Sequence, residues 1–228
     1  MRLRHLAPTL LAFAVATPSA ADTSAVGRLE NTSTDQTCTG ALIAPRYVLT
    51  AAHCIGALRD AENASDARVV FRPGGALGDL TYTVVDSAMH PLFNQPFAQN
   101  MQKLRFDMAI FTLAQEVPET VGVPMTVGAE ARIGETLFLV SWRGGNPAPP
   151  RQRGCLVIDG VPGLVSVACA VGGGESGAPL FRKTQSGPEF VAVLSSSSSR
   201  GQQPIGLASN VAIRLPPLER AVKAGEGS

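Results

Sequence analysis

Short apolar runs broken by turn residues recur along the chain, and they restrict it to a fold built from short strands. Runs at 39–42, 47–51, 68–71, 80–85, 108–113, 136–142, 155–158, 164–170, 190–195 and 206–211 are each too short for a typical helix. Between them lie Ala44-Pro45-Arg46, Pro73-Gly74-Gly75 and other turn-forming stretches, drawn from 23 Gly and 17 Pro. Strands at this spacing predict an all-β barrel or sandwich. Residues 116–132, with Pro118, Gly122, Pro124 and Gly128, read as a linker between two strand-rich halves. Pro216-Pro217 introduces an expected short helix over 218–223. There is no internal repeat.

The first residues read as an export signal. Arg2, Arg4 and His5 form a basic start, residues 6–16 an apolar run, and Ser19-Ala20-Ala21 a small-residue cleavage site. The run is too short for a spanning helix, which needs about 20 apolar residues. The expected mature chain begins near Asp22, carries no membrane anchor and is secreted or periplasmic. Of 19 basic residues the leader removes Arg2 and Arg4, leaving 17 against 18 acids. A net charge near −1 gives nucleic acid or a membrane surface no electrostatic handle. All four cysteines, Cys38, Cys54, Cys155 and Cys169, follow the cleavage point. Export and an even count argue for two disulfides. Of the three pairings, Cys38–Cys54 and Cys155–Cys169 each close a short local segment and are expected. No C-x-x-C spacing occurs, so no metal site is expected.

Chemistry concentrates at three places. His53 ends Val48-Leu49-Thr50-Ala51-Ala52-His53-Cys54, a strand, small residues and then an imidazole beside a disulfide cysteine. A general base must be held rigidly near its nucleophile, and that staple holds it. Ser176 lies in Gly172-Gly173-Gly174-Glu175-Ser176-Gly177-Ala178-Pro179-Leu180. Glycines on both sides allow a tight turn that exposes a hydroxyl and leaves backbone N–H groups free for an oxyanion. Asp107 opens the apolar Asp107-Met108-Ala109-Ile110 strand, where an inward carboxylate can receive a histidine N–H. Asp79 and Asp86 head no such strand. His90, before Pro91 in a turn-rich stretch, reads as structural. A buried unpaired carboxylate is costly, so Glu175 is expected to meet a cation or backbone donors beneath the serine loop. A mature N-terminal amine is one candidate partner.

Together these segments resemble the trypsin/chymotrypsin superfamily of serine proteases, in the style of exported bacterial trypsin-like and glutamyl-endopeptidase-like members. Cys38-Thr39-Gly40-Ala41-Leu42-Ile43 through His53-Cys54 is similar to the family's histidine segment, Asp107-Met108-Ala109-Ile110 to its aspartate segment, and Gly174 to Leu180 to its serine segment. The resemblance implies an all-β fold of two six-stranded antiparallel barrels with the active site between them. Residues 22–120 would form the first barrel with His53 and Asp107. Residues 121–228 would form the second with Ser176 and a short C-terminal helix. It implies a secreted endopeptidase with a His53-Asp107-Ser176 triad and an oxyanion hole of Gly174 and Ser176 N–H groups. It implies a substrate pocket at Ala170, Leu194, Ser195, Ser196, Ser197 and Gly206, no cofactor, a protein or peptide substrate, and a monomer. The uncharged pocket predicts a preference for small or medium apolar side chains, with Arg200 as the residue that could turn it toward acids.

The sequence departs from the family pattern at Glu175, usually Asp or Asn, and at Ala178, usually Gly or another small residue. No Ile-Val-Gly-Gly start appears; Ala25-Val26-Gly27 is the nearest match. An α/β-hydrolase is excluded because no His follows Ser176 and Ala178 breaks G-x-S-x-G. The competing reading is a protease-fold binding module without catalysis. Asn31-Thr32-Ser33 and Asn63-Ala64-Ser65 fit the glycosylation pattern.

Overall fold

The computed structural model describes residues 23–34, 36–59, 69–74, 80–143 and 150–226. The signal-like leader, Asp79 and the Asn63 motif lie outside them.

The chain folds into two closed six-stranded antiparallel barrels. The first contains β1 (Val26–Asn31), β2 (Thr37–Ala44), β3 (Tyr47–Thr50), β4 (Val69–Pro73), β5 (Tyr82–Met89) and β6 (Ala109–Leu113), ordered β1-β2-β3-β6-β5-β4 and closed by the β1–β4 pair. β6 is buried along its whole length, which is why 108–113 reads as a continuous apolar run. Leu29, Leu42, Leu49, Phe71, Ile110 and Phe111 fill the centre. Closure leaves no strand edge to aggregate.

After β7 (Thr126–Val127), the second barrel is built from β8 (Thr136–Ser141), β9 (Arg151–Val161), β10 (Leu164–Ala168), β11 (Pro179–Thr184), β12 (Gly187–Arg200) and β13 (Gln203–Asn210), with β11 against β12 closing the ring. β7 adds to β12 in parallel. Its core contains Leu137, Leu139, Val157, Val167, Leu180 and Leu194.

Several elements differ from the sequence reading, β7 within the expected linker among them. β1 was not expected, because Val-Gly-Arg-Leu-Glu-Asn carries too few apolar residues to show alternation. β11 was hidden in the tail of the serine motif. The C-terminal helix, α3 (Val211–Glu226), starts seven residues earlier than expected. Asn210 Oδ1 accepts the Ile213 N–H at 3.2 Å and caps the helix there. Pro216 and Pro217 therefore sit inside the helix, where they remove two i→i−4 donors without stopping it. Val211, Leu215 and Leu218 carry α3 onto the core that also contains Met108 and Phe111 of the first half.

Two disulfides staple the chain. Cys38–Cys54 has a Cα–Cα separation of 6.3 Å and Cys155–Cys169 one of 5.4 Å, both within the usual range. Asn31 is buried, and its Nδ2 donates to the Leu58 carbonyl at 2.8 Å, so its side chain serves packing in the folded chain.

Candidate active site

Asp107 organises the first half of the site. It lies between α2 (Met101–Leu104) and β6, with its carboxylate buried. One oxygen accepts the His53 backbone N–H at 2.9 Å, and the other lies 2.7 Å from His53 Nδ1. His53 is the first residue of α1 (His53–Leu58), so the carboxylate also satisfies a helix-start donor that has no partner inside the helix. An ionised carboxylate only accepts, which puts the ring proton on Nδ1 and leaves Nε2 an acceptor. Ser195 Oγ donates to the same oxygen, Oδ2. The His53 side chain is 37% exposed against 3% for Asp107, so one edge of the ring stays open above a buried anchor.

The serine loop is fastened to both barrels. The Ser176 carbonyl accepts the Thr39 N–H at 2.8 Å, and Thr39 Oγ1 donates to the Gly174 carbonyl at 2.9 Å. On the other side, Gly177 N–H donates to Leu194 O at 2.8 Å and Leu194 N–H to Ala178 O at 2.9 Å. Gly177 has φ +81°, and a Cβ there would lie 2.0 Å from Thr50 Oγ1 and 2.2 Å from Thr39 O. Only glycine allows the loop to press this closely on the strand leading to His53. Among the described residues, neither the Gly174 N–H nor the Ser176 N–H donates to a protein acceptor. No hydrogen bond joins Ser176 Oγ to the His53 ring among these residues. Such bonds are often long until a substrate closes them.

Ser176 lines a cavity of about 250 Å³ together with Val171, Gly172, Gly173, Leu194, Ser195, Ser196 and Ser197. Four of the pocket residues expected from sequence are therefore gathered beside Ser176. Ala170 and Gly206 are not among the lining residues. Ala170 is exposed, and its carbonyl accepts from Arg143 at 3.2 Å and Arg153 at 3.1 Å. Gly206 sits behind the wall, against Leu194, Val167 and Val171. Arg200 pairs with Asp159 at 3.4 Å and is not among the lining residues either.

A family model described as Trypsin matches residues 15–159 of this chain. The chain belongs to the trypsin family. The matched stretch contains His53 and Asp107 and ends before Ser176, whose place in this trypsin-family fold rests on the geometry above. A solved structure of a Glu endopeptidase in complex with MPD superposes with a TM-score of 0.66 at 17% identity, covering 94% of this chain and 95% of that one. At that identity the likeness is one of fold. No curated protein matches the chain.

Beneath the serine loop of this trypsin-family chain, Glu175 is 1% exposed and fully partnered. Ser141 Oγ donates to Oε1 at 2.6 Å and Arg153 Nη2 to the same oxygen at 2.8 Å. Gly172 N–H donates to Oε2 at 2.8 Å, with Arg143 Nη2 at 3.4 Å. Burial pushes the carboxyl up, but Ser141, Arg153 and the Gly172 N–H together hold it below its ordinary value. Cation and backbone donors both appear, as the cost of a buried charge requires. Sequence reasoning did not find Ser141, Arg143 or Arg153, nor Ser195 as a partner of Asp107. Each joins residues distant along the chain, and no local pattern marks them. Ala178, the other departure from the family pattern, is wholly buried and engages Leu194 through its backbone. Asp86 is exposed and accepts its neighbour's N–H. His90 is buried away from the cavity, stacked on Phe106 with ring centroids 5.2 Å apart. Among the described residues there is no cluster that could hold a metal, and no helix is long and apolar enough to cross a membrane.

Proposed function

We propose that this trypsin-family chain is an exported serine endopeptidase that works through Ser176, His53 and Asp107. The observation that carries the reading is the Asp107 carboxylate. It takes both the backbone N–H and the Nδ1 proton of His53, and so presents a basic Nε2 from a fixed ring. In the reaction, Ser176 Oγ attacks the peptide carbonyl carbon while its proton passes to His53 Nε2. The carbonyl electron pair moves to oxygen, where the unengaged Gly174 and Ser176 N–H groups stabilise it. Collapse breaks the C–N bond, His53 returns the proton to the leaving amine, and an acyl-serine remains. Water then repeats the sequence and regenerates Ser176. Ser195 helps to fix Asp107, and the two disulfides suit an oxidising compartment.

Glu175 and Ala178, the grounds for a non-catalytic module, are each accommodated by their surroundings and leave the loop intact. Val171 and Leu194 give the cavity apolar walls and the serines give it no charge. Arg200 is engaged with Asp159, while Arg143 and Arg153 turn to Glu175 and the Ala170 carbonyl. Small or medium apolar side chains are the preferred occupants, since a charged one would lose hydration without a partner. Turnover of a peptide library by the exported protein tests both points. Ser176→Ala and His53→Ala should each lower kcat by several orders of magnitude with the fold intact. Near-normal turnover by either variant contradicts the mechanism, and a dominant Arg/Lys or Glu preference contradicts the specificity.

A further inference from the structure

β12 outruns one of its neighbours. β11 leaves it after Val193, while β13 stays paired with it as far as Arg200 and Gln203. Among the described residues, Ser195 to Arg200 therefore have a partner strand on one edge only. The turn decides which groups face the open edge. Gly201 and Gln202 join the strands as a two-residue hairpin, with Gly201 at φ +61°. In such a hairpin the pair that closes the turn is hydrogen-bonded, and bonded pairs then alternate with unbonded ones. Arg200, Ser198 and Ser196 thus turn their N–H and C=O groups to β13, and Ser199 and Ser197 turn theirs to the open edge.

Two observations agree with this register. Pro204, which has no N–H, lies opposite Ser199 in a pair that needs none. Beyond the bulge between Leu194 and Ser196, Leu194 faces the same side as Ser197, bonded there to Gly177 and Ala178 of the serine loop. The open edge continues that line away from Ser176. Ser195, Ser196 and Ser197 line the cavity, and the exposed Ser198, Ser199 and Arg200 carry the edge past it. Open edges are usually blunted by a charge, a proline or a bulge. From Ser197 to Ser199 there is none of these, and the side chains are small. Arg200 is drawn to Asp159 at 3.4 Å. Ser196 Oγ donates to Ser197 O at 3.3 Å, which leaves that carbonyl a second lone pair.

We propose that the open edge at Ser199 binds substrate backbone beyond the cavity, so that the preferred substrates are extended, unfolded segments with at least five residues before the scissile bond. The inference rests on the endopeptidase reading given above. A substrate strand lies antiparallel along the edge, with the residue before the scissile bond at the cavity beside Ser195. Its third residue back then falls opposite Ser197 and its fifth opposite Ser199. At Ser199 the serine N–H donates to the substrate carbonyl, and the substrate N–H donates to the serine carbonyl. At about 3.4 Å per residue the fifth residue lies ~14 Å from the one in the cavity, which a folded turn does not span. The contacts are to backbone, so most side chains suit the fifth position, and proline, which has no N–H, does not.

The test uses acetylated peptides of three, four, five and six residues ahead of one fluorogenic leaving group, with the three residues nearest it held constant. Two backbone hydrogen bonds should raise kcat/KM about tenfold between three and five residues, with no further gain at six. Replacing the fifth residue's N–H by an ester oxygen should give back about threefold. Ser199→Pro removes the edge-facing donor, and an edge strand tolerates proline where its N–H is unpaired. In that variant the ratio of five-residue to three-residue kcat/KM should fall toward one. A flat length series in wild type overturns the proposal while leaving the endopeptidase reading standing, and so does an undiminished ratio in folded Ser199→Pro. Should the variant fail to fold, the ester peptide on wild type still decides. A dimer of the purified protein that Ser199→Pro dissociates would mean that a second copy occupies the edge, and overturns the proposal. If wild type neither cleaves any of these peptides nor reacts with a fluorophosphonate, the endopeptidase reading fails and this proposal with it.

Discussion

Acid should destabilise this protein through His90. The imidazole is 2% exposed, and its Nδ1 accepts the Leu92 N–H at 3.2 Å. The proton is therefore on Nε2, which is buried without a hydrogen-bond partner among the described residues. Burial, and then the positive charge of Arg214, lower the group from 6.5 to about 4. Protonation would place a charge against the Phe106 ring and Arg214, and would cost the Leu92 bond. Between pH 6.5 and about 4 the unfolded chain binds this proton and the folded chain does not, so stability falls as the pH falls. At ~1.4 kcal/mol per pH unit the loss reaches about 3 kcal/mol by pH 4 and levels off below it. The test is urea unfolding at pH 7 and pH 4, with the disulfides intact and in a Ser176→Ala background to prevent autolysis. His90→Phe keeps the ring stack and removes the titration. It should lose about 3 kcal/mol less than its parent between the two pH values, or roughly 6–12 °C in Tm for a chain of this size. Glu175 and the other carboxylates titrate in both proteins and cancel. Equal losses in the two would refute the reasoning.

Gly177→Ala should cost at least about 1–3 kcal/mol from its backbone conformation alone. The added Cβ must also displace the Thr39 carbonyl, so thermal unfolding should show the loss and peptidase activity should fall with it. Replacing Cys155 and Cys169 together by Ala should lower stability by about 3 kcal/mol in denaturant unfolding, as expected for a loop of this length. Activity should suffer too, because Cys169 adjoins Ala170, whose carbonyl accepts from Arg143 and Arg153 beside the serine loop.

What the sequence disclosed was local. Val48 to Cys54 is a strand, a turn and a stapled imidazole in one continuous piece, and Gly174 to Leu180 is likewise a self-contained turn. The recurrence of short apolar runs carried the all-β class, and the two barrels came with the family resemblance. Contacts closed only by tertiary structure were not legible. Ser195 meets Asp107 across 88 residues and Arg153 meets Glu175 across 22. The family resemblance puts Ala170 in the cavity, but the chain turns through Gly174 at φ +84°, and Val171 to Gly173 line the wall instead. The start of α3 was misjudged because two prolines looked like a helix start, whereas the capping asparagine lies at the end of a strand.

The most direct measurement is covalent labelling of the purified protein with a fluorophosphonate probe, followed by peptide mapping. The account predicts one adduct per chain, on Ser176. It predicts none in Ser176→Ala and sharply slowed labelling in His53→Ala, because the base that activates the hydroxyl is gone. A folded wild-type protein that takes up no probe, or takes it up elsewhere, would contradict it.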